Sequence, residues 1–123
     1  MYTLDTNAII YYLDDDPAVV PLLDPIFGQD IAIFVSVVTE LELLSHPGLT
    51  EEDITEIPQL LTSVVLFPLE SRLAHLAGAL RRQYHLKTPD SVVAATALLT
   101  RTTLVTRNIR DFQGIEGLFL LPI

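Results

Sequence analysis

The sequence predicts an α/β domain in which a parallel sheet is covered by helices on both faces. Three observations support this fold class: short β-branched and apolar runs recur along the chain, helical patterns separate them, and no repeat or low-complexity linker interrupts the alternation. A chain of 123 residues, half of them hydrophobic, is the size of one domain with one core. We therefore assign residues 1–123 to a single domain.

The first half of the chain contains two predicted strands, each followed by a helix. The segment YTL at 2–4 is a short buried strand, and a helix over about 7–14 ends before Pro17. The run IAIFV at 31–35 is continuously apolar, which is typical of a central strand in a parallel sheet. The segment SVVTELELLSH at 36–46 then follows as a helix.

The second half continues the alternation of helices and strands. The helix predicted over TEEDITEIPQLLTS is expected to break or restart at Pro58, because proline lacks the amide hydrogen that a helix interior needs. A strand follows at 64–69, then an amphipathic helix over about 70–85 and a buried, almost wholly apolar helix at 91–100. The remaining predicted strands are TLVT at 103–106 and LFLLPI at 118–123.

Composition and charge limit the classes of function. The absence of cysteine excludes disulfides and cysteine-based metal sites. No apolar run approaches the roughly 20 residues that a membrane helix needs, and no signal-peptide pattern begins the chain, so we expect a cytoplasmic protein that makes no membrane contact. The net charge of −9 argues against a general nucleic-acid binder. Because all seven basic residues lie between Arg72 and Arg110, any nucleic acid would have to contact that part of the chain.

Acidic residues occur where a parallel sheet forms its binding sites, beyond the carboxyl ends of the strands. Asp5 ends the first strand, Asp111 follows the TLVT strand, and Asp90 begins the buried helix. Glu40 and Glu42 lie early in the helix after IAIFV. Each acid taken alone could be a helix cap or a turn residue. Several carboxylates at one edge, however, would repel one another unless a divalent cation compensated their charge.

A carboxylate cluster without histidine or cysteine offers only oxygen ligands, which suits Mg²⁺ or Mn²⁺. Such an ion lowers the pKa of a bound water and neutralises charge during hydrolysis of a phosphate ester. The acids therefore favour a nuclease, although a phosphatase or a simple metal-binding module could present the same residues. The spacing of His46, His75 and His85 suits neither a metal motif nor a triad, so we assign these residues structural or surface roles.

Four segments, in this order along the chain, resemble the PIN domain, and especially the VapC toxins of bacterial and archaeal toxin–antitoxin pairs. They are LDTN at 4–7, SVVTELEL at 36–43, TPDSVVAATAL at 88–98 and LVTRNIRDF at 104–112. The resemblance implies a three-layer α/β/α fold with a short, mainly parallel central sheet. It also implies a Mg²⁺- or Mn²⁺-dependent endoribonuclease that cuts structured RNA such as tRNA or rRNA, is inhibited by a cognate antitoxin and often forms a homodimer.

The resemblance assigns Asp5 and Asp90 as metal ligands and catalytic acids. The helical pattern does not decide between Glu40 and Glu42, because both flank the apolar stripe. The resemblance favours Glu42, since the family's pattern reads serine, two residues, threonine, two residues, glutamate. The metal, held by these acids, would activate water, and the expected product has a 5′-phosphate and a 3′-hydroxyl.

The fourth carboxylate of the resemblance is assigned to Asp111, because Asn108 is neutral at the other position that the family uses. Asp111 would hold a second, weaker ion or position the attacking water. The polar residues expected to orient acids, ligands or water by hydrogen bonds are Thr6, Asn7, Ser36, Thr106 and Asn108. The basic residues that are candidates for contact with RNA phosphates are Arg107, Arg110, Arg81, Arg82 and Lys87.

A second hypothesis is a catalytically weak PIN-like module that binds RNA or a protein without cleavage. The acidic balance of the chain and the neutral Asn108 favour it slightly. The four acids in the order of the motifs favour the ribonuclease more, and we adopt the ribonuclease as the interpretation of the sequence.

Overall fold

The computed structural model describes residues 1–123 and contains five strands and seven helices. The strands are β1 (Tyr2–Leu4), β2 (Ile33–Ser36), β3 (Val65–Phe67), β4 (Thr103–Thr106) and β5 (Leu120–Pro122). The helices are α1 (Thr6–Leu13), α2 (Val20–Phe27), α3 (Val37–Leu44), α4 (Glu51–Leu61), α5 (Ser71–Tyr84), α6 (Thr88–Thr100) and α7 (Ile109–Phe112). No helix has both the length and the apolar character needed to span a membrane.

The five strands form one all-parallel sheet in the order β3-β2-β1-β4-β5. The chain moves outward from β1 to β2 and β3, and then returns to the other side of β1 to form β4. Binding crevices in open parallel sheets form at such a switch point, beyond the carboxyl ends of the strands. Because Leu4 of β1 lies opposite Val105 of β4, the residues that follow them, Asp5 and Thr106, reach this crevice side by side.

Each face of the sheet packs against its own layer of helices, because side chains alternate between the two faces. Leu4, Val35 and Val105 belong to a core shared with α1–α4, whereas Leu104 belongs to a core shared with α5–α7. The segment Ser91–Ala97 of α6 is buried throughout, as its apolar composition predicts. These observations confirm the α/β/α fold with a parallel sheet and helices on both faces.

The predicted break at Pro58 is wrong, because α4 runs without interruption from Glu51 to Leu61. Pro58 is exposed, and so is Ile54, whose carbonyl loses its usual helical partner four residues later. That carbonyl can hydrogen-bond to water instead, so the proline costs less than it would in a buried helix face. A capping box between Thr50 and Asp53 further stabilises the first turn.

The helix α2 was not predicted from the sequence. Pro17, Pro21 and Pro25 recur at four-residue intervals through this region and discourage a helical interpretation. All three prolines are exposed, while Leu23 and Ile26 on the opposite side enter the core. Burial of this apolar face therefore stabilises a helix that its local sequence disfavours.

The predicted strands at 64–69 and 118–123 shorten to three residues each, as β3 and β5. Both lie at an edge of the sheet and pair on one side only, so fewer hydrogen bonds hold their ends in the strand conformation. The loop expected after β4 contains the single-turn helix α7, which carries Asp111.

Candidate active site

Asp5 joins the sheet to the first helix at the switch point. Its backbone amide donates to the carbonyl oxygen of Val105 at 3.0 Å. Its Oδ1 accepts the backbone amide of Thr6 at 2.8 Å and so caps α1, and its Oδ2 accepts the hydroxyl of Thr106 at 2.7 Å. Only 4% of Asp5 is exposed, so its carboxylate is held in a fixed direction within the crevice.

The pKa of Asp5 is raised above its ordinary value of 3.8. Burial is the main cause, and the charge of Glu42 adds to it. The hydrogen bonds from Thr106, from the Thr6 amide and from Asn7 act in the opposite direction but do not cancel the effect of burial. The surroundings of Asp5 therefore do not fully compensate the negative charge of its ionised carboxylate, and a cation placed beside it would lower its pKa.

Glu42 reaches the same crevice from α3 through a hydrogen bond to the start of α1. The hydroxyl of Thr6 lies 2.8 Å from Oε1 of Glu42 and 3.0 Å from Oγ1 of Thr39. Thr39 was given no role in the sequence analysis, although it is the threonine of the spacing that selected Glu42. The signal for its role was present in that spacing, but only the packing of α1 on α3 shows which hydroxyl it meets.

Asp90 lies in the first turn of α6 and is half-buried. Burial raises its pKa from 3.8 to about 6, and the charges of Asp5, Asp111 and Glu42 contribute to the rise, while Lys87 opposes it. Each of the other three predicted acids therefore lies near enough to Asp90 to act on its charge. The fold thus brings together four carboxylates that are far apart in sequence.

Glu40 and Glu42 differ in their relation to this cluster. The charge of Glu42 raises the pKa values of both Asp5 and Asp90, whereas Glu40 is not among the causes for either group. Two residues along a helix correspond to a rotation of about 200°, so the two side chains point away from each other. Of the two glutamates that the helical pattern left open, Glu42 is the one that lies beside the other acids.

Asp111 is exposed on α7 and is held by Asn108, whose Nδ2 donates to its Oδ2 at 3.0 Å. The backbone amide of Asn108 donates to the hydroxyl of Thr106 at 2.9 Å, and that hydroxyl donates in turn to Asp5. Thr106 therefore links the buried acid of β1 to the turn that presents the exposed acid. Thr106 and Asn108 were both expected to act through hydrogen bonds, and the structure shows which groups they contact.

Ser36 and Asn7, the other polar residues expected here, make different contacts. Ser36 is fully buried and accepts the backbone amide of Val38 at 3.1 Å, which caps α3 and so orients the helix that carries Glu42. Oδ1 of Asn7 accepts the backbone amide of Arg107 at 3.3 Å. Asn7 therefore ties α1 to the segment that follows β4.

The guanidinium of Arg107, a candidate for RNA contact, already has three partners. It lies 3.6 Å from a carboxylate oxygen of Asp16, its Nε donates to the carbonyl oxygen of Ile123 at 3.3 Å, and it stacks on the ring of Tyr11 at 3.9 Å. These contacts fasten the segment after β4 to α1 and to the end of β5. Arg107 is thus engaged within the fold.

The remaining basic candidates fall into two pairs. Arg81 and Arg82 are exposed on the last turn of α5. Lys87 and Arg110 are also exposed, but they line a cavity together with Asp111 and therefore lie next to the acidic cluster.

The donor chemistry of the cluster fits a hard divalent cation, since its charged groups are carboxylates and burial raises the pKa of Asp5 and of Asp90. No group of three acidic or histidine side chains is arranged to enclose a cation directly. Mg²⁺ does not require such a cage, because it usually keeps several waters and takes only one or two carboxylates from the protein. The three histidines are all exposed, in keeping with the surface roles predicted for them.

The fold and the site define a class: an α/β/α domain with a carboxylate cluster at the switch point of a parallel sheet. A profile of the PIN-domain family matches residues 2–118, and the chain belongs to this family. The chain is 27% identical over 123 residues to the ribonuclease VapC19 of Mycobacterium tuberculosis, an alignment that covers 96% of this chain and 97% of that protein.

Two solved structures contain chains with the same fold as this one. A toxin–antitoxin complex from Klebsiella pneumoniae contains a chain that superposes with a TM-score of 0.83 at 26% identity, over 98% of this chain and 96% of that one. VapBC2 from Rickettsia felis, solved with a DNA fragment from its promoter, also has a TM-score of 0.83, at 23% identity over 99% and 98% of the two chains. The second similarity concerns the fold alone.

Proposed function

We propose that this chain is an endoribonuclease that uses Mg²⁺, with Mn²⁺ as a substitute, to hydrolyse phosphodiester bonds in structured RNA such as tRNA or rRNA. The observation that supports the proposal is that Asp5, Glu42 and Asp111 lie near enough to Asp90 for their charges to raise its pKa. The similarity to a named ribonuclease over nearly its whole length supports RNA as the substrate.

In this proposal Asp5, Glu42 and Asp90 would hold the metal, directly or through its bound waters, and Asp111 would hold a second, weaker ion or position the attacking water. A bound divalent ion supplies a water of lowered pKa and compensates the charge that develops on the scissile phosphate. Because water attacks rather than the ribose 2′-hydroxyl, the products carry a 5′-phosphate and a 3′-hydroxyl.

The protein's own contribution is to hold three of these carboxylates in fixed orientations through hydrogen bonds. The hydroxyl of Thr106 and the amide of Thr6 fix the two oxygens of Asp5, and the hydroxyl of Thr6 fixes Glu42. Nδ2 of Asn108 holds Asp111. Since the pKa of Asp90 is about 6, most of this residue is ionised at neutral pH and presents an oxygen acceptor to the site.

We further propose that a cognate antitoxin inhibits the enzyme and that the chain forms a homodimer in the cytoplasm. The similarity to the chain solved in a toxin–antitoxin complex from Klebsiella pneumoniae supports an antitoxin partner. Light scattering of the purified chain, alone and with the product of a neighbouring short reading frame, tests both parts of this proposal.

The activity is tested by incubating labelled tRNA and rRNA with purified protein in Mg²⁺, Mn²⁺ or EDTA, beside Asp5→Asn and Asp30→Asn. Asp30 is an exposed loop acid and serves as a matched control for the loss of one charge. Discrete cuts that need metal, carry 5′-phosphate ends and vanish only in Asp5→Asn are expected. Equal cutting by all three proteins would indicate a contaminating nuclease. Intact RNA with the wild type would favour the alternative of an RNA- or protein-binding module.

A further inference from the structure

An open cavity of about 320 Å³ lies between the end of α5 and the helix α7. Its wall is formed mainly by polar and charged side chains, among them Lys87, Arg110, His85 and Tyr84. Asp111 of the acidic cluster lines the same cavity. A space of this size can hold a phosphate group together with part of a nucleotide.

The cavity adjoins the candidate active site through two of its residues. Asp111 belongs both to the cavity wall and to the set of acids that raise the pKa of Asp90, while Lys87 lines the cavity and lowers that pKa. Lys87 is therefore close enough to the acidic cluster for its charge to be felt there. A group bound in the cavity would lie beside the carboxylates without displacing them.

Lys87 and Arg110 are free of ion pairs, although the chain carries 16 acids and only seven basic side chains. The one salt bridge of the structure joins Arg107 to Asp16. Two exposed and uncompensated cations thus lie next to the acidic cluster. Such cations attract the phosphates of an incoming strand that the acids alone would repel.

Tyr84 lines the cavity and carries a neutral hydroxyl. Its hydroxyl oxygen accepts the backbone amide of Glu116 at 3.2 Å, and its own proton has no partner in the structure. A hydroxyl has one proton to donate, so Tyr84 can give a hydrogen bond to an anionic oxygen while it keeps the bond from Glu116.

We propose that this cavity binds a backbone phosphate of the substrate RNA, adjacent to the scissile phosphate, with Lys87 and Arg110 as charged ligands and Tyr84 as a neutral donor. The inference rests on the proposed ribonuclease function for the identity of the ligand. Anchoring the neighbouring phosphate holds the RNA against the carboxylates and contributes binding energy that is the same in the bound substrate and in the transition state. It also explains how so acidic a chain holds a polyanion.

The test compares Lys87→Gln and Arg110→Gln with Arg72→Gln, which removes an exposed charge at the far end of α5. Lys87 makes no side-chain cap to α6, so its replacement removes no helix-capping hydrogen bond. Binding of a fluorescent 12-nucleotide RNA of mixed sequence is measured in EDTA over a range of salt concentrations, which separates binding from cleavage. The kinetic constants kcat and KM are then measured with metal, on an RNA that the wild type cuts.

Lys87→Gln and Arg110→Gln are each expected to weaken RNA binding several-fold. Each should also reduce the slope of log K against log salt concentration by about 0.7 in magnitude, the value for one lost phosphate contact to a single strand. KM is expected to rise while kcat changes less than about twofold, because phosphate anchoring acts equally on bound substrate and transition state. Binding and kinetics that match those of Arg72→Gln overturn the proposal. A site for free phosphate is the other possible use. Binding of inorganic phosphate that is lost in the two variants, while their RNA binding matches that of Arg72→Gln, would overturn assignment to a backbone phosphate.

Failure of this inference is distinguishable from failure of the proposed function. If the wild type cuts RNA and the two variants behave as the control does, the phosphate site is wrong and the nuclease remains. If no metal supports cleavage but the two variants still weaken RNA binding and lower its salt dependence, the phosphate site is correct and the protein binds RNA without cutting it.

Discussion

The hydroxyl of Thr106 donates to Oδ2 of Asp5 at 2.7 Å, although the two residues are 101 positions apart in sequence. Thr106 is fully buried, and its hydroxyl oxygen also accepts the amide of Asn108, which directs the hydroxyl proton towards Asp5. Burial raises the pKa of Asp5, and the Thr106 hydrogen bond is the largest of the effects that oppose this rise. Thr106 therefore helps to keep a buried carboxylate in the ionised form that a metal ion would need.

The variant Thr106→Val keeps the shape of the side chain and removes the hydroxyl. We expect weaker Mn²⁺ binding by about 10- to 100-fold, the usual cost of losing a group that orients a metal ligand. Calorimetric titration with Mn²⁺ measures this directly, and cleavage of RNA should fall in parallel. Thr103→Val, at the opposite end of the same strand, is the matched control. Equal metal affinity in the two variants would contradict the role assigned to Thr106.

Glu42→Gln and Glu40→Gln form a matched pair on one helix, each removing a single charge. The loss of Glu42 should lower the cleavage rate by at least about 100-fold, because the loss of a ligand costs no less than the loss of a group that orients one. Glu40→Gln should stay within about twofold of the wild type, since Glu40 does not act on the charges of Asp5 or Asp90. Single-turnover rates at saturating Mg²⁺ measure both. The reverse order of effects would reassign the site to Glu40.

Asp90 predicts a pH dependence of stability in the metal-free protein. Its pKa is about 6 in the folded state and near 3.8 when unfolded, so the folded state binds more protons in this window. The stabilisation from protonation is fully present below the unfolded pKa and is lost as the pH rises through about 6. In EDTA, the free energy of unfolding should therefore increase as the pH is lowered from about 7 towards 5.

Asp90→Asn should be more stable than the wild type at neutral pH in EDTA and inactive as a nuclease. We expect a gain of about 1 kcal/mol, a value reduced for the partial exposure of Asp90 and solvent screening. Urea unfolding at several pH values measures the difference, which should shrink towards pH 5. A constant difference between the two proteins across this range would be inconsistent with a raised Asp90 pKa.

Arg107→Ala should destabilise the fold more than the removal of other exposed arginines. It removes the stacking on Tyr11, the hydrogen bond to the Ile123 carbonyl and the pairing with Asp16, which together contribute about 1–2 kcal/mol. Arg110 makes no such contacts, so Arg110→Ala should change the free energy of unfolding by less than about 0.5 kcal/mol. Denaturant titration of the two variants gives the comparison, and equal stability would show that the Arg107 contacts contribute nothing in solution.

Local patterns predicted most of the secondary structure, and they failed where burial overrode a local preference. The order of the five strands in sequence and the helices between them follow from apolar runs and helical periodicity. The helix α2 and the unbroken α4 contain prolines that disfavour a helix locally. In both, the prolines face solvent while the opposite side of the helix enters the core, and the sequence alone does not show which side that is.

The candidate site likewise has features that local sequence patterns predicted and features that depend on the tertiary structure. The positions of Asp5, Asp90 and Asp111 after strands or at a helix start are local features, and the geometry of parallel sheets places them at one edge. The resemblance to the PIN domain favours Glu42 over Glu40, and in the structure the hydroxyl of Thr6, on another helix, donates to Glu42. No periodicity within α3 contains that information, because the partner lies on α1.

The sequence by itself determined the fold class, the order of the strands along the chain and the acids available to the site, because these depend on residues close together along the chain. Only the tertiary structure decided what each charged side chain contacts. Arg107 and Arg110 are three residues apart, yet one is engaged by Asp16, Tyr11 and Ile123 while the other remains free beside the acidic cluster. Their neighbours come from distant parts of the chain, and the sheet order and helix packing that bring those neighbours together are non-local.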